Sequence, residues 1–146
     1  MYEFSDSSKK NLEGIKPALK LLFERVISHS SHDFGIPEHG GKRTAEEQNE
    51  LYQIGRTKEL DRKPITNLDG YKNKSYHQTG MAVDIYIYDE HGACWDCIEK
   101  YKEVADLILK TFKKMQYEGH FCKCEKLRWG GDWTSFKDYP HFEVKN

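Results

Sequence analysis

SYHQTGMAVDIYIY, residues 75–88, sets His77 and Asp84 seven positions apart with Gly80 between them, then runs into an alternating strand. Val83, Ile85 and Ile87 fall on one face and Ala82, Asp84, Tyr86 and Tyr88 on the other, the period of two expected of a half-buried strand. Asp84 therefore points away from the aliphatic face. Gly80 lets the chain bend sharply between the histidine and the strand. A carboxylate placed this way reads either as an exposed edge residue or as one corner of a site completed from elsewhere in the chain.

Upstream, Leu12, Ile15, Leu19, Leu22, Val26 and Ile27 recur near the helical period, which predicts a helix from Ser7 to about Ser28 with a start or early kink at Pro17. Thr44-Ala45-Glu46-Glu47 forms a capping box that opens a second helix, closed at Gly55. Between them His32 to Arg43 is irregular and glycine-rich, and residues 56–74 read as a long polar surface loop, a length that usually carries function or motion. Downstream, Ile98, Tyr101, Val104, Ala105, Ile108, Leu109 and Phe112 predict a third helix from Cys97 to about Met115. The tail KLRWGGDWTSFKDYPHFEVKN, residues 126–146, reads as a strand, a connection of glycines and tryptophans, and a short last strand. In that strand His141 and Glu143 face one way, Phe142 and Val144 the core. Helices and strands interleave, so the expected class is α+β, a small antiparallel sheet with helices packed on it, in a single domain over residues 1–146.

A formal charge of -1 gives no overall electrostatic reason to expect nucleic acid or an anionic membrane as partner. No stretch approaches the ~18 apolar residues of a membrane span, and the first residues lack the apolar core of a signal peptide, so the expectation is a monomer made in the cytoplasm without stable membrane insertion. Cys94, Cys97, Cys122 and Cys124 form two tight pairs, and reduced thiols are expected of them. A shared four-thiolate site is disfavoured, because a helix of about 18 residues would hold the pairs roughly 27 Å apart. His29 and His32 have a metal-pair spacing at a helix end, with no carboxylate motif beside them, and read as surface residues.

A hydrolytic zinc site takes three protein ligands of the His, Asp or Glu type and leaves the fourth position to water. His77, Asp84 and His141 supply that set, His141 arriving from a neighbouring strand. Asp138, stiffened against His141 by Pro140, is the candidate base that takes the proton of the attacking water and delivers it to the leaving amine; Glu143 competes for that role. Arg43 is the candidate cation beside the developing oxyanion. Taken singly, each of these residues has a bland surface or core reading; their co-occurrence as S-x-H-x-x-G-x-A-x-D, W-G-G-D-W and D-x-x-H lifts the set above it.

These motifs resemble the zinc D,D- and L,D-peptidases of the D-alanyl-D-alanine carboxypeptidase superfamily, which includes the vancomycin-resistance dipeptidases, and most closely the phage L-alanyl-D-glutamate peptidase endolysins. The matching segments are residues 41–58, 65–85 and 127–143. The resemblance implies the fold of the carboxypeptidase and hedgehog-like type, Zn2+ held by His77, Asp84 and His141, Asp138 as acid/base, Arg43 as the oxyanion-stabilising arginine and Ser75 as a substrate-positioning residue. Trp129, Trp133 and Tyr139 are expected to line the groove, and Gln48, Tyr52 and Arg56 to serve the scaffold. One departure stands out, because G-R-T is followed here by K-E-L-D-R-K-P where relatives often carry a Pro-Gly turn.

The implied activity is hydrolysis of the stem peptide of bacterial peptidoglycan at the L-alanyl-D-glutamate bond, by a bacteriolytic endolysin that waits in the host cytoplasm and acts on the wall after release. A D-alanyl-D-alanine carboxypeptidase or dipeptidase would share the same ligands and base. A zinc-binding interaction module without turnover would have no use for both Asp138 and Arg43. Manganese or cobalt could serve in place of zinc.

Overall fold

The expected first helix is two helices in the computed structural model, which describes all residues from Met1 to Asn146. They are α1 (Asp6–Asn11) and α2 (Pro17–His29). After α1 the chain turns through Gly14 in the left-handed region at φ 82°, and Pro17 takes the first turn of α2, where no amide hydrogen is needed. Next come the short strand β1 (Phe34–Gly35) and helix α3 (Ala45–Gln53). The Thr44 hydroxyl accepts from Glu47 N at 3.0 Å and the Glu47 carboxylate accepts from Thr44 N at 3.3 Å, so the capping box forms as expected.

The alternation over residues 82–88 is divided between two strands, β2 (Ala82–Asp84) and β3 (Tyr86–Asp89). The chain changes sheets at Ile85, whose amide donates to Pro140 O at 2.9 Å while Tyr88 N donates to Asp33 O at 2.9 Å. The remaining elements are β4 (Gly92–Cys94), α4 (Ile98–Tyr117), β5 (Lys126–Trp129) and β6 (His141–Lys145). Instead of one sheet there are two of three strands each, both antiparallel, ordered β1-β3-β4 and β2-β6-β5.

Helix α4 packs on α2. Tyr101, Val104, Ala105, Ile108, Phe112 and Met115 face Leu19, Leu22, Phe23 and Val26 within one core that also takes Val83, Ile85, Phe142 and Val144 from the strands. Burying each large apolar side chain contributes about 1.5–3 kcal/mol, so this core fixes β2 and β6 firmly. Their register sets Asp84 directly opposite His141 and Ala82 opposite Glu143, while β5 brings Arg128 opposite Glu143 from the other side.

Cys94 with Cys97 and Cys122 with Cys124 each close a tight turn that brings the Cα atoms to 5.9 and 5.2 Å, within the span of a disulfide. The two pairs sit at opposite ends of α4, about 30 Å apart along its axis, and share no site. His29 bonds to Arg25 O of its own helix and His32 to Glu103, so that pair forms no cluster either.

Candidate active site

His77 lies in a single 3-10 turn, Tyr76–Thr79, whose ends are locked. The Ser75 hydroxyl accepts from His77 N at 3.2 Å, the Gln78 side chain accepts from Ser75 N at 2.9 Å, and Gly80 closes the turn in the left-handed region at φ 74°. A Cβ at Gly80 would lie 2.6 Å from Gly14 O, so both conformation and space require glycine there. From this turn the chain enters β2 two residues later. Asp84 and His77 thereby meet with little freedom to part.

His77 Nε2, Asp84 Oδ1 and His141 Nδ1 form a triangle with edges of 3.3, 3.3 and 2.9 Å. Donors bound at ~2.05 Å around a tetrahedral zinc stand ~3.3 Å apart, so the triangle has the size of one zinc face. The ring protonation agrees. His77 Nδ1 lies 2.9 Å from Gly41 O and His141 Nε2 lies 2.7 Å from Glu143 Oε1. A carbonyl and a carboxylate only accept, so each of those nitrogens carries its hydrogen and the opposite nitrogen turns a lone pair into the triangle. Two lone pairs and a carboxylate facing one another call for a cation between them. A proton on His141 Nδ1 meets the same demand: burial works against a charged ring, yet the bonds to Asp84 and Glu143 outweigh it and push the ring up to about 10, so a bound metal would take the place of that proton. Burial likewise raises Asp84, and His77 and His141 overcome that to hold it well below the usual carboxylate range.

Arg43 secures the outer side of Asp84. Its Nη2 donates to Asp84 Oδ2 at 3.1 Å, Nε to His39 O at 2.6 Å and Nη1 to Gln48 Oε1 at 3.0 Å. Gln48 is fully buried and donates in turn to Thr66 Oγ1 and Leu68 O, tying the loop over residues 56–74 to the same network. Sequence reasoning assigned Gln48 to the scaffold and missed that its partner is Arg43. A polar residue on the inward face of a short helix was the available signal.

Asp138 lines the cleft and is held by its backbone: its N donates to Gly130 O at 3.0 Å, and its own O accepts from His141 N at 3.1 Å. A Cβ at Gly130 would fall 2.2 Å from Asp138 O, so the first glycine of W-G-G-D-W is the space in which the Asp138 segment rests. The residue is exposed, but crowding by the cleft walls, and then the charge of Asp84, raise its carboxyl to about 6.

The triangle lies in the wall of an open cleft of about 1170 Å³. Ser75 and Trp133 line that cleft, the indole of Trp133 lying 5.3 Å from the His141 ring. Tyr139 and Trp129, expected in the groove, belong elsewhere. Trp129 is buried, its Nε1 donating to Tyr139 O at 2.8 Å, and the two rings pack on each other at 5.8 Å against the core. Phe136 and Trp95, both exposed, take the aromatic positions of the cleft instead. Glu143, the rival base, is buried between His141 and Arg128 on the side of the His141 ring away from the triangle.

An α+β core that carries a His-Asp-His cluster in the wall of an open cleft makes a site whose three donors could hold a metal ion. The chain belongs to the phage L-alanyl-D-glutamate peptidase family, whose model its residues 1–145 match. It is 32% identical over 149 residues to the peptidoglycan L-alanyl-D-glutamate endopeptidase CwlK of Bacillus subtilis (strain 168), across 93% of this chain and 70% of that protein. The L-Ala D-Glu endopeptidase ChiX of Serratia marcescens has the same fold, with a TM-score of 0.72 at 24% identity over 98% of this chain and 90% of that one.

Proposed function

We propose that this chain cuts the amide between L-alanine and D-glutamate in the stem peptide of bacterial peptidoglycan, with one metal ion, zinc by preference, held by His77, Asp84 and His141. The observation that carries the reading is the triangle of donors with edges of 2.9–3.3 Å, both of its imidazoles fixed by acceptors on their outer nitrogens. Zinc bound there would act as a Lewis acid on the scissile carbonyl and lower the pKa of water.

The chain's own residues do the rest. Asp138 takes the proton of the attacking water and returns it to the leaving nitrogen of D-glutamate. Arg43, with each of its three nitrogens already engaged, holds the Asp84 carboxylate in place and adds positive potential where the carbonyl oxygen gains charge. Ser75 spends its hydroxyl on the His77 turn, so its contribution is to orient that ligand at the cleft wall. Trp133 gives the substrate an apolar surface beside His141.

The setting is part of the proposal. The family description names phage enzymes, and the chain suits an endolysin that stays in the host cytoplasm as a monomer until lysis releases it onto the wall. No helix is long and apolar enough to cross a membrane.

Mass spectrometry of purified peptidoglycan fragments after incubation with the protein tests the reading. New amino-terminal D-glutamate is expected; release of D-alanine or its dipeptide would move the chain to the carboxypeptidase branch, and intact fragments would overturn the activity altogether.

A further inference from the structure

The proposed substrate poses a recognition problem of its own. In the stem peptide, D-glutamate is acylated on its amino group and continues the chain through its side-chain carboxyl. Its α-carboxylate is therefore free, one carbon from the scissile nitrogen. Bringing that charge into the cleft without a partner would be costly.

Five cations line the cleft, namely Arg43, Arg62, Lys74, Arg128 and Lys137. Arg43 is committed to Asp84 and Arg62 to Glu59 at 3.2 Å. Lys137 donates to Gly131 O at 3.0 Å, and Lys74 stands exposed on a flexible stem with no partner to aim it. Arg128 differs from all of them. Its Nε and Nη2 both bond to the same oxygen of Glu143, and its guanidinium lies 5.7 Å from the centre of the Tyr76 ring, so the planar head is fixed from two sides. Its Nη1 has no acceptor in the protein, and the side chain is 41% exposed. Through Glu143, whose other oxygen takes the 2.7 Å bond from His141, the guanidinium stands two hydrogen bonds from the metal triangle. A leaving-group carboxylate next to the scissile nitrogen has to lie within a similar short reach of that centre.

We infer that Arg128 receives the α-carboxylate of the departing D-glutamate and thereby makes the enzyme selective for stem peptides with a free α-carboxyl over those in which it is amidated. The inference rests on the L-alanyl-D-glutamate reading. Glu143 prepares the site by consuming one edge of the guanidinium and leaving Nη1 presented. An amidated residue offers Nη1 only a neutral carbonyl, and the charge-assisted bond is lost.

Two synthetic peptides test this, L-Ala-γ-D-Glu-L-Lys and the same peptide with D-isoglutamine at the second position. The zinc-loaded wild type is expected to cut the acid with a kcat/KM about 10–100-fold higher, the worth of one charge-assisted hydrogen bond, and mainly through KM. Arg128→Gln should fall to the rate of the amide on both peptides. Arg128→Lys should restore part of the preference, with zinc content per chain unchanged. Should Arg128→Gln lose zinc through its link to Glu143, the wild-type ratio and the lysine variant still decide. Equal cleavage of both peptides by the wild type, or a preference that survives in Arg128→Gln, would overturn the role of Arg128 while leaving the activity standing. A wild type that cuts neither peptide at the L-alanyl bond would overturn the activity itself and this inference with it.

Discussion

Glu143 Oε1 lies 2.7 Å from His141 Nε2, and that one bond decides which nitrogen of His141 faces Asp84 and His77. The carboxylate can only accept, so Nε2 keeps its hydrogen and Nδ1 is left as a ligand atom. This is the carboxylate–histidine pairing that orients metal ligands and raises their basicity. It also turns Glu143 toward the side of the ring away from the triangle, which favours Asp138 over it as the base. Replacing Glu143 with alanine is expected to weaken zinc binding about 10–100-fold in a competition titration with a chromogenic chelator. A variant that binds zinc as tightly as the wild type but turns over nothing would return the proton-transfer role to Glu143.

Asp138 carries the complementary prediction. Asp138→Asn should bind zinc at wild-type strength and lose about 10²–10⁴-fold in kcat, the usual worth of a positioned general base. Loss of zinc in that variant would mean the side chain is a ligand, and full activity would mean that another group moves the proton.

Gly130→Ala separates the position of Asp138 from its chemistry. The added methyl would sit 2.2 Å from Asp138 O, forcing the 130–138 connection to shift at a cost of about 1–3 kcal/mol. Expected are a lower thermal midpoint and a loss of kcat with zinc content intact, read by calorimetry and elemental analysis. An alanine variant with unchanged kcat would show that the Asp138 backbone need not rest on Gly130.

Stability at acid pH should depend on Glu125, away from the metal triangle. Burial raises its carboxyl, but the bond from Lys16 at 2.6 Å and that from Cys122 N at 2.8 Å bring it below its ordinary value of 4.5. A depressed folded-state value stabilises the fold above pH 4.5 and loses that contribution as pH falls through the lowered value. Glu125→Gln should therefore be less stable than wild type in urea at pH 7, by about 1–2 kcal/mol. The gap should close as pH drops well below 4.5. A gap independent of pH would contradict the ion-pair account.

Much of this architecture is readable from local chemistry. The Thr44–Glu47 capping box, the helical period of α4 and the same-face placement of His141 and Glu143 are properties of a few neighbouring residues, and the structure has them all. What escapes such reading depends on distant partners. Alternation over residues 82–88 says nothing of the sheet change at Ile85, because that change is made by bonds to Pro140 and Asp33. Tyr139 lies two positions from His141 yet packs on Trp129, since the turn before β6 directs it to the core. Two tight cysteine pairs read locally as thiols, whereas the turns they close bring each pair within bonding reach.

The central claim is that His77, Asp84 and His141 make one metal centre on which all turnover depends. Titrating zinc into chelator-stripped protein while following cleavage of L-Ala-γ-D-Glu-L-Lys tests it most directly. Activity should be absent at the start, rise linearly and break at one zinc per chain, and His141→Ala should neither take up the ion nor recover. Full activity in the stripped protein, or zinc-dependent activity in His141→Ala equal to wild type, would contradict the account.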